Sequence, residues 1–130
     1  MKLDEIEQNA ILRLTLDFSV VVVGYCEELE SLRKFVIGKQ LLRSGTSIGA
    51  NAMEAQHAEG GNDFIHKMKI AAKEAAETQY WLLVCEKAES YPPSKHLQQK
   101  LEEINRLLSS IIGTAKRRRN ILSIFLTLFA

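Results

Sequence analysis

Four long runs of this chain place apolar or small residues every three or four positions, and few turn residues separate them. In the first, from Asp4 to Leu32, the repeating positions are Ile11, Leu14, Phe18, Val21, Tyr25 and Leu32, with Leu29 beside them. The second, from about Phe35 to about Ala58, repeats Ile37, Leu41, Ser44, Ile48, Ala52 and Ala55. A third stripe holds Phe64, Met68, Ala71, Ala75, Thr78, Leu82 and Cys85 and runs to about Ser90. The fourth follows Ser94, with Leu97, Leu101, Ile104, Leu108, Ile111 and Ala115. Such spacing lines one face of an α-helix, whereas a half-buried strand would alternate at every second residue. The valines at 20–23 favour a strand locally, but helical spacing flanks them on both sides.

The breaks between runs fit this reading. Gly60-Gly61 ends the second run, Asn62 or Asp63 is placed to cap the third, and "YPP" at 91–93 stops it, because proline lacks the N–H a helix needs. With only 7 glycines and 2 prolines in 130 residues, a sheet protein with many tight turns is disfavoured. Four long helices on short connections predict an all-α fold, an antiparallel up-down-up-down four-helix bundle. The chain reads as one domain over residues 1–130, with an atypical apolar tail at 121–130.

Within the second run, "RSGTSIGAN" looks at first like a phosphate loop. A Walker-type loop needs Gly-Lys-Ser/Thr after a strand, and neither the lysine nor the strand is present. On a helix, Gly45 and Gly49 stack four apart and form a groove that lets another backbone approach closely. That partner is a helix of the same chain or of a second subunit. Gly45 and Gly49 are therefore expected at an oligomer interface.

The segment "KQLLRSGTSIGANAMEAQHAEGGNDFIHKMKIAAKEAAETQYWL" (39–82) closely resembles the four-helix-bundle family first noticed as open reading frames within intervening sequences of bacterial 23S rRNA genes. The similarity is densest there and extends over residues 10–112. Relatives include the accessory protein of diversity-generating retroelements, which works with a reverse transcriptase and binds nucleic acid. The resemblance implies a bundle that assembles into a ring-like homopentamer, and it implies no established activity. The last ten residues depart from the family's usual polar ending.

No catalytic constellation stands out. Glu54 with His57 and Asp63 with His66 have the Glu-x-x-His spacing of di-metal bundles, yet no acid lies on the stripes of the first and fourth runs. Ser44, Thr46 and Ser47 read as hydroxyls bonded within their own helix. Cys26 and Cys85 read as small buried apolar residues that suit a reducing compartment. The sequence thus predicts no enzyme, no cofactor and no metal.

The formal charge is +1, so nucleic-acid binding has no support from net charge, but the charge is uneven. Residues 1–31 are acidic and the remainder is basic. Lys39 and Arg43 share one helix face, as do Lys69 and Lys73, and Lys116, Arg117, Arg118 and Arg119 form a compact cluster. These residues are the candidates for phosphate contacts with RNA. The other reading is a solvated face paired with Glu74 and Glu77; a further alternative pairs Arg43 with Glu54 or Glu77 inside an interface. The tail "ILSIFLTLFA" is too short to span a bilayer as a helix. It prolongs the fourth helix, packs on another subunit or meets a membrane surface. The start, "MKLDEIEQNA", lacks a signal-peptide core, and a cytoplasmic location is expected.

Overall fold

A computed structural model describes residues 1–129, and among them there are helices and no strand. The helices are α1 (Leu3–Gln8), α2 (Ala10–Ser31), α3 (Phe35–Ala55), α4 (Gly61–Lys87) and α5 (Lys95–Phe129). Helix α2 packs on α3 and α5, and α4 packs on the same two, so the four long helices close into a bundle. Short connections make chain neighbours antiparallel. The short α1 lies along α2, and its Ile6 packs against the core.

The first run is two helices where one was expected. Asn9 leaves helical geometry (φ −101°, ψ 114°) and its Oδ1 accepts the Leu12 N–H at 3.3 Å, capping α2. Its Nδ2 also donates to Gln56 Oε1 at 3.4 Å, tying this break to the end of α3. At its other end α2 stops at Ser31. Arg33 adopts φ 63°, its N–H bonds the Glu30 carbonyl, and the Lys34 N–H bonds the Leu29 carbonyl. These two bonds form a Schellman motif, with arginine where glycine is usual. Leu32 therefore lies beyond the helix and is exposed instead of completing the stripe.

The buried face of α2 is Ile11, Leu12, Thr15, Phe18, Val22, Tyr25, Cys26 and Leu29. Leu14 and Val21 are half-buried at its margin. Packing overrides the strand preference of the valines: Val22 is fully buried in the helix, while Val20 faces out. Phe18, Leu29, Leu41, Ile48, Met68 and Leu82 sit with the α5 residues Leu97, Leu101, Ile104 and Leu108 in one core.

Small residues let α2 and α3 approach closely. A Cβ placed on Gly45 would lie 3.1 Å from Val22 Cγ1, and one on Gly49 would lie 3.1 Å from Thr15 Cβ. The groove expected at an oligomer interface is thus filled from within, by α2 of the same chain. Nearby, Thr78 Oγ1 of α4 lies 2.9 Å from Ser44 Oγ of α3 and 2.7 Å from the Glu74 carbonyl. The bundle's two buried hydroxyls at this crossing satisfy each other, and no buried side-chain N or O among the described residues lacks a partner.

Helix α4 begins at Gly61, after an extended Gly60, so Asn62 and Asp63 fall in its first turn and do not cap it. Ser94 immediately precedes α5. Its hydroxyl donates to the Leu82 carbonyl of α4 at 2.9 Å and accepts from Gln98 Nε2 at 3.0 Å, which fastens the start of α5 to the bundle. Tyr25 Oη donates to the Pro92 carbonyl at 2.8 Å and pins the α4–α5 connection onto α2. Helix α5 then runs unbroken through 35 residues, and from Arg117 onward it is exposed.

Candidate nucleic-acid interface

The basic residues singled out in the sequence fall into two groups. Arg43 of α3 reaches across to α4. Its Nη1 lies 3.2 Å from Glu74 Oε2, its Nη2 bonds Glu77, and Glu77 also accepts the Trp81 indole N–H at 3.1 Å. Desolvation opposes the charge on Arg43, but the bonds to Glu77 and Glu74 outweigh it and hold its pKa above the ordinary value. Arg43 is therefore a clasp between two helices of one chain. Lys39 lies apart, exposed beside a groove of about 360 Å³ that Glu27 and Glu30 also line. Neither residue joins the other cations.

Lys69 behaves differently. Lys116 of α5, and further off Arg119, stand against it, and this repulsion lowers the Lys69 pKa from its ordinary value. Fold geometry thus brings one helix-four lysine and the post-114 basic run together at one end of the bundle. Lys73 is exposed one turn further along α4. Among the described residues, none of Lys69, Lys73, Lys116, Arg117, Arg118 and Arg119 makes an ion pair. Arg119 Nη1 donates to Asn62 Oδ1 at 3.3 Å, and Arg117 Nη2 donates to Thr114 Oγ1 at 3.1 Å. Crowded cations that make no ion pair are an arrangement that an anion stabilises.

Arg118 and Arg119 also line a cleft of about 800 Å³. Gly60, Gly61 and Asn62, at the start of α4, line it too, with Phe64 and Ile111. Asn62 is the residue that sequence reading missed here. Its position in the sequence suits a helix cap, and only the return of α5 past the α3–α4 turn gives it an arginine to hold.

Other candidate chemistry finds no assembly. Glu54 lies 4.0 Å from Lys67, and among the described residues no three His, Cys, Asp or Glu side chains gather as metal ligands. Thr46 and Ser47 donate to the Leu42 and Arg43 carbonyls one turn back, at 2.7 and 2.6 Å. Burial pushes the Cys26 thiol up to about 11, with Cys85 adding to it, and burial raises Cys85 as well. Such thiols are poor nucleophiles.

The family model described as "23S rRNA-intervening sequence protein" matches residues 7–110, most of the chain. This chain belongs to that family. Among solved structures, it is 44% identical to a protein of unknown function from the S23 ribosomal protein family of Bacteroides thetaiotaomicron VPI-5482, with a TM-score of 0.75. That match covers 78% of this chain and 97% of the other. No curated protein matches. The 23S rRNA-intervening sequence protein match ends at residue 110, before Lys116, so four of the six clustered cations and the whole apolar tail lie beyond it.

Proposed function

We propose that this protein is a non-catalytic, self-associating helical scaffold that holds RNA through its phosphates. The carrying observation is that α4 and α5 set Lys69 against Lys116 and Arg119, with Lys73, Arg117 and Arg118 on the same two helices and none of the six in an ion pair among the described residues. Phosphates relieve that repulsion, and a second or third copy multiplies a modest patch. A reverse transcriptase, as in the retroelement relatives, is the kind of partner such a scaffold serves.

Self-association, a pentamer by family resemblance, draws on surfaces other than the glycine groove. Leu16, Val20 and Val23 make an exposed apolar stripe on the outer side of α2, and Tyr80 and Leu83 make another on α4. The two stripes differ in chemistry and suit a head-to-tail contact, which closes rings.

The test is binding of unstructured RNA at several salt concentrations, with mass measured by light scattering. Affinity is expected to fall with salt at a log–log slope of about −3, because four or five neutralised phosphates release counterions. Lys69→Glu with Lys73→Glu should weaken binding to all RNAs by similar factors and leave the mass unchanged, since phosphate contacts do not read bases. Val20→Asp should lower the mass. No binding at low salt would remove the RNA reading and leave a structural adaptor.

A further inference from the structure

The core face of α5 outruns its partners. Past Leu108 it continues at helical spacing as Ile111, Ala115 and Leu122, while α3 has ended at Ala55 and α4 begins only at Gly61. At this end of the bundle α5 therefore faces the α3–α4 turn instead of a helix, and the cleft of about 800 Å³ lies between them, a size that holds a small molecule. Ala55, Phe64, Ile111 and Leu122 give it an apolar lining. Arg118 and Arg119 supply its charge. Among the described residues no Asp or Glu lines it, and neither arginine makes an ion pair. Asn62 accepts one N–H of Arg119 at 3.3 Å, which fixes where that guanidinium sits. The Gly60-Gly61 edge is bare: a Cβ added to either residue would meet nothing within 4 Å.

We propose that this cleft binds a nucleoside phosphate, with the base between Phe64 and the aliphatic side chains of α5 and the phosphate on Arg118 and Arg119. Two guanidiniums without carboxylate partners select an anion, and their planar forks match phosphate oxygens. A bare phosphate would use the charge and leave the apolar lining in water. A wholly apolar ligand would take water from the arginines and return no hydrogen bond. A flat base with a charged end satisfies both parts of the cleft, and stacking accepts any base because each has a π-face. The nucleotide has two sources, a free mononucleotide or the end of an RNA strand that lies along Lys69 and Lys116. The second source rests on the RNA reading above, and the first does not.

Calorimetric titration of the full chain with adenosine monophosphate, adenosine and inorganic phosphate separates the two parts of the site. The monophosphate should bind about tenfold more tightly than either of the others, because a stacked base and a charge-assisted bond each carry about that factor. Arg118→Gln with Arg119→Gln should weaken the monophosphate by about tenfold. Gly60→Trp and Gly61→Trp, made separately, put a large side chain at the bare edge without a steric conflict. At least one of them should lose the nucleotide while its circular dichroism spectrum stays as in the parent. For the strand source, RNA with a terminal phosphate should bind more tightly than the same strand dephosphorylated, and the blocking tryptophan should remove that preference. The proposal is overturned if inorganic phosphate binds as tightly as the monophosphate, which would leave a cation patch with no place for a base. It is also overturned if both tryptophan variants, folded, bind nucleotide as the parent does. RNA held with no preference for a terminal phosphate, and no mononucleotide bound, would sink the cleft and spare the RNA reading. Mononucleotide bound by a chain that holds no RNA would do the reverse.

Discussion

At the scale of single residues, the glycines separate cleanly by what surrounds them. Gly24 sits inside α2 with nothing within 4 Å of an added Cβ, so Gly24→Ala should raise stability by about 0.5–1 kcal/mol through helix propensity alone. Gly49 faces Thr15 at its Cβ and, at 3.6 Å, its backbone carbon, neither of which swings aside. There Gly49→Ala should lower stability by about 1 kcal/mol in spite of the same propensity gain. Urea titrations of the two variants check both signs. The spacing of Gly45 and Gly49 was legible as a close-approach groove. Which helix would enter it was not, because a groove has the same sequence whether its partner is α2 or another molecule. Cys26 yields a pH prediction. Its thiol is raised in the folded chain to about 11, so the unfolded chain loses this proton first, from about pH 9. The unfolded state then binds fewer protons, and stability should fall as pH rises through that window. Urea titrations across it should show a smaller fall in Cys26→Ala than in the parent, since other groups titrate in both.

At the scale of helices, the stripes were legible and the ends were less so. Most core positions of α3, α4 and α5 are those the spacing indicated, because a buried face must recur with the helical period; Ile37, Phe64, Ile111 and Ala115 fall at its margin, and Gly38 and Ile65 are buried beside the expected stripes. The ends follow local hydrogen bonds that the spacing does not encode. Asn9 breaks the first run by capping α2, Arg33 closes α2 one residue early, and Gly60 starts α4 ahead of Asn62. The connection from α4 to α5 is held by one bond from a distant helix, Tyr25 Oη to Pro92. Tyr25→Phe removes that bond and keeps the ring in the core. It should cost about 1 kcal/mol, read as a lower urea midpoint with an unchanged slope. Arg43 teaches a similar lesson about charge. It shares a face with Lys39 in sequence, but Glu74 and Glu77 on α4 claim it, and no spacing within α3 reveals a neighbour thirty residues away.

For the molecule as a whole, the bundle and its family were legible, while the cation cluster required the fold. Lys69 and Lys116 are far apart in the chain, and α4 and α5 alone bring them together. The same long α5 divides into two parts that share one unbroken backbone ladder. As far as Leu108 its apolar side chains are locked in the core, and from Arg117 onward its side chains are exposed, with Arg119 held to Asn62. A helical stretch shorter than about 12–15 residues is marginal in water without packing to support it. Amide hydrogen exchange in water should therefore be slow at Leu101 and Ile104 and become progressively faster towards Phe129, although no residue marks a break. A surface that covers the tip should slow exchange there selectively, so the gradient along this one helix is itself a gauge of whether its end has found a place to rest.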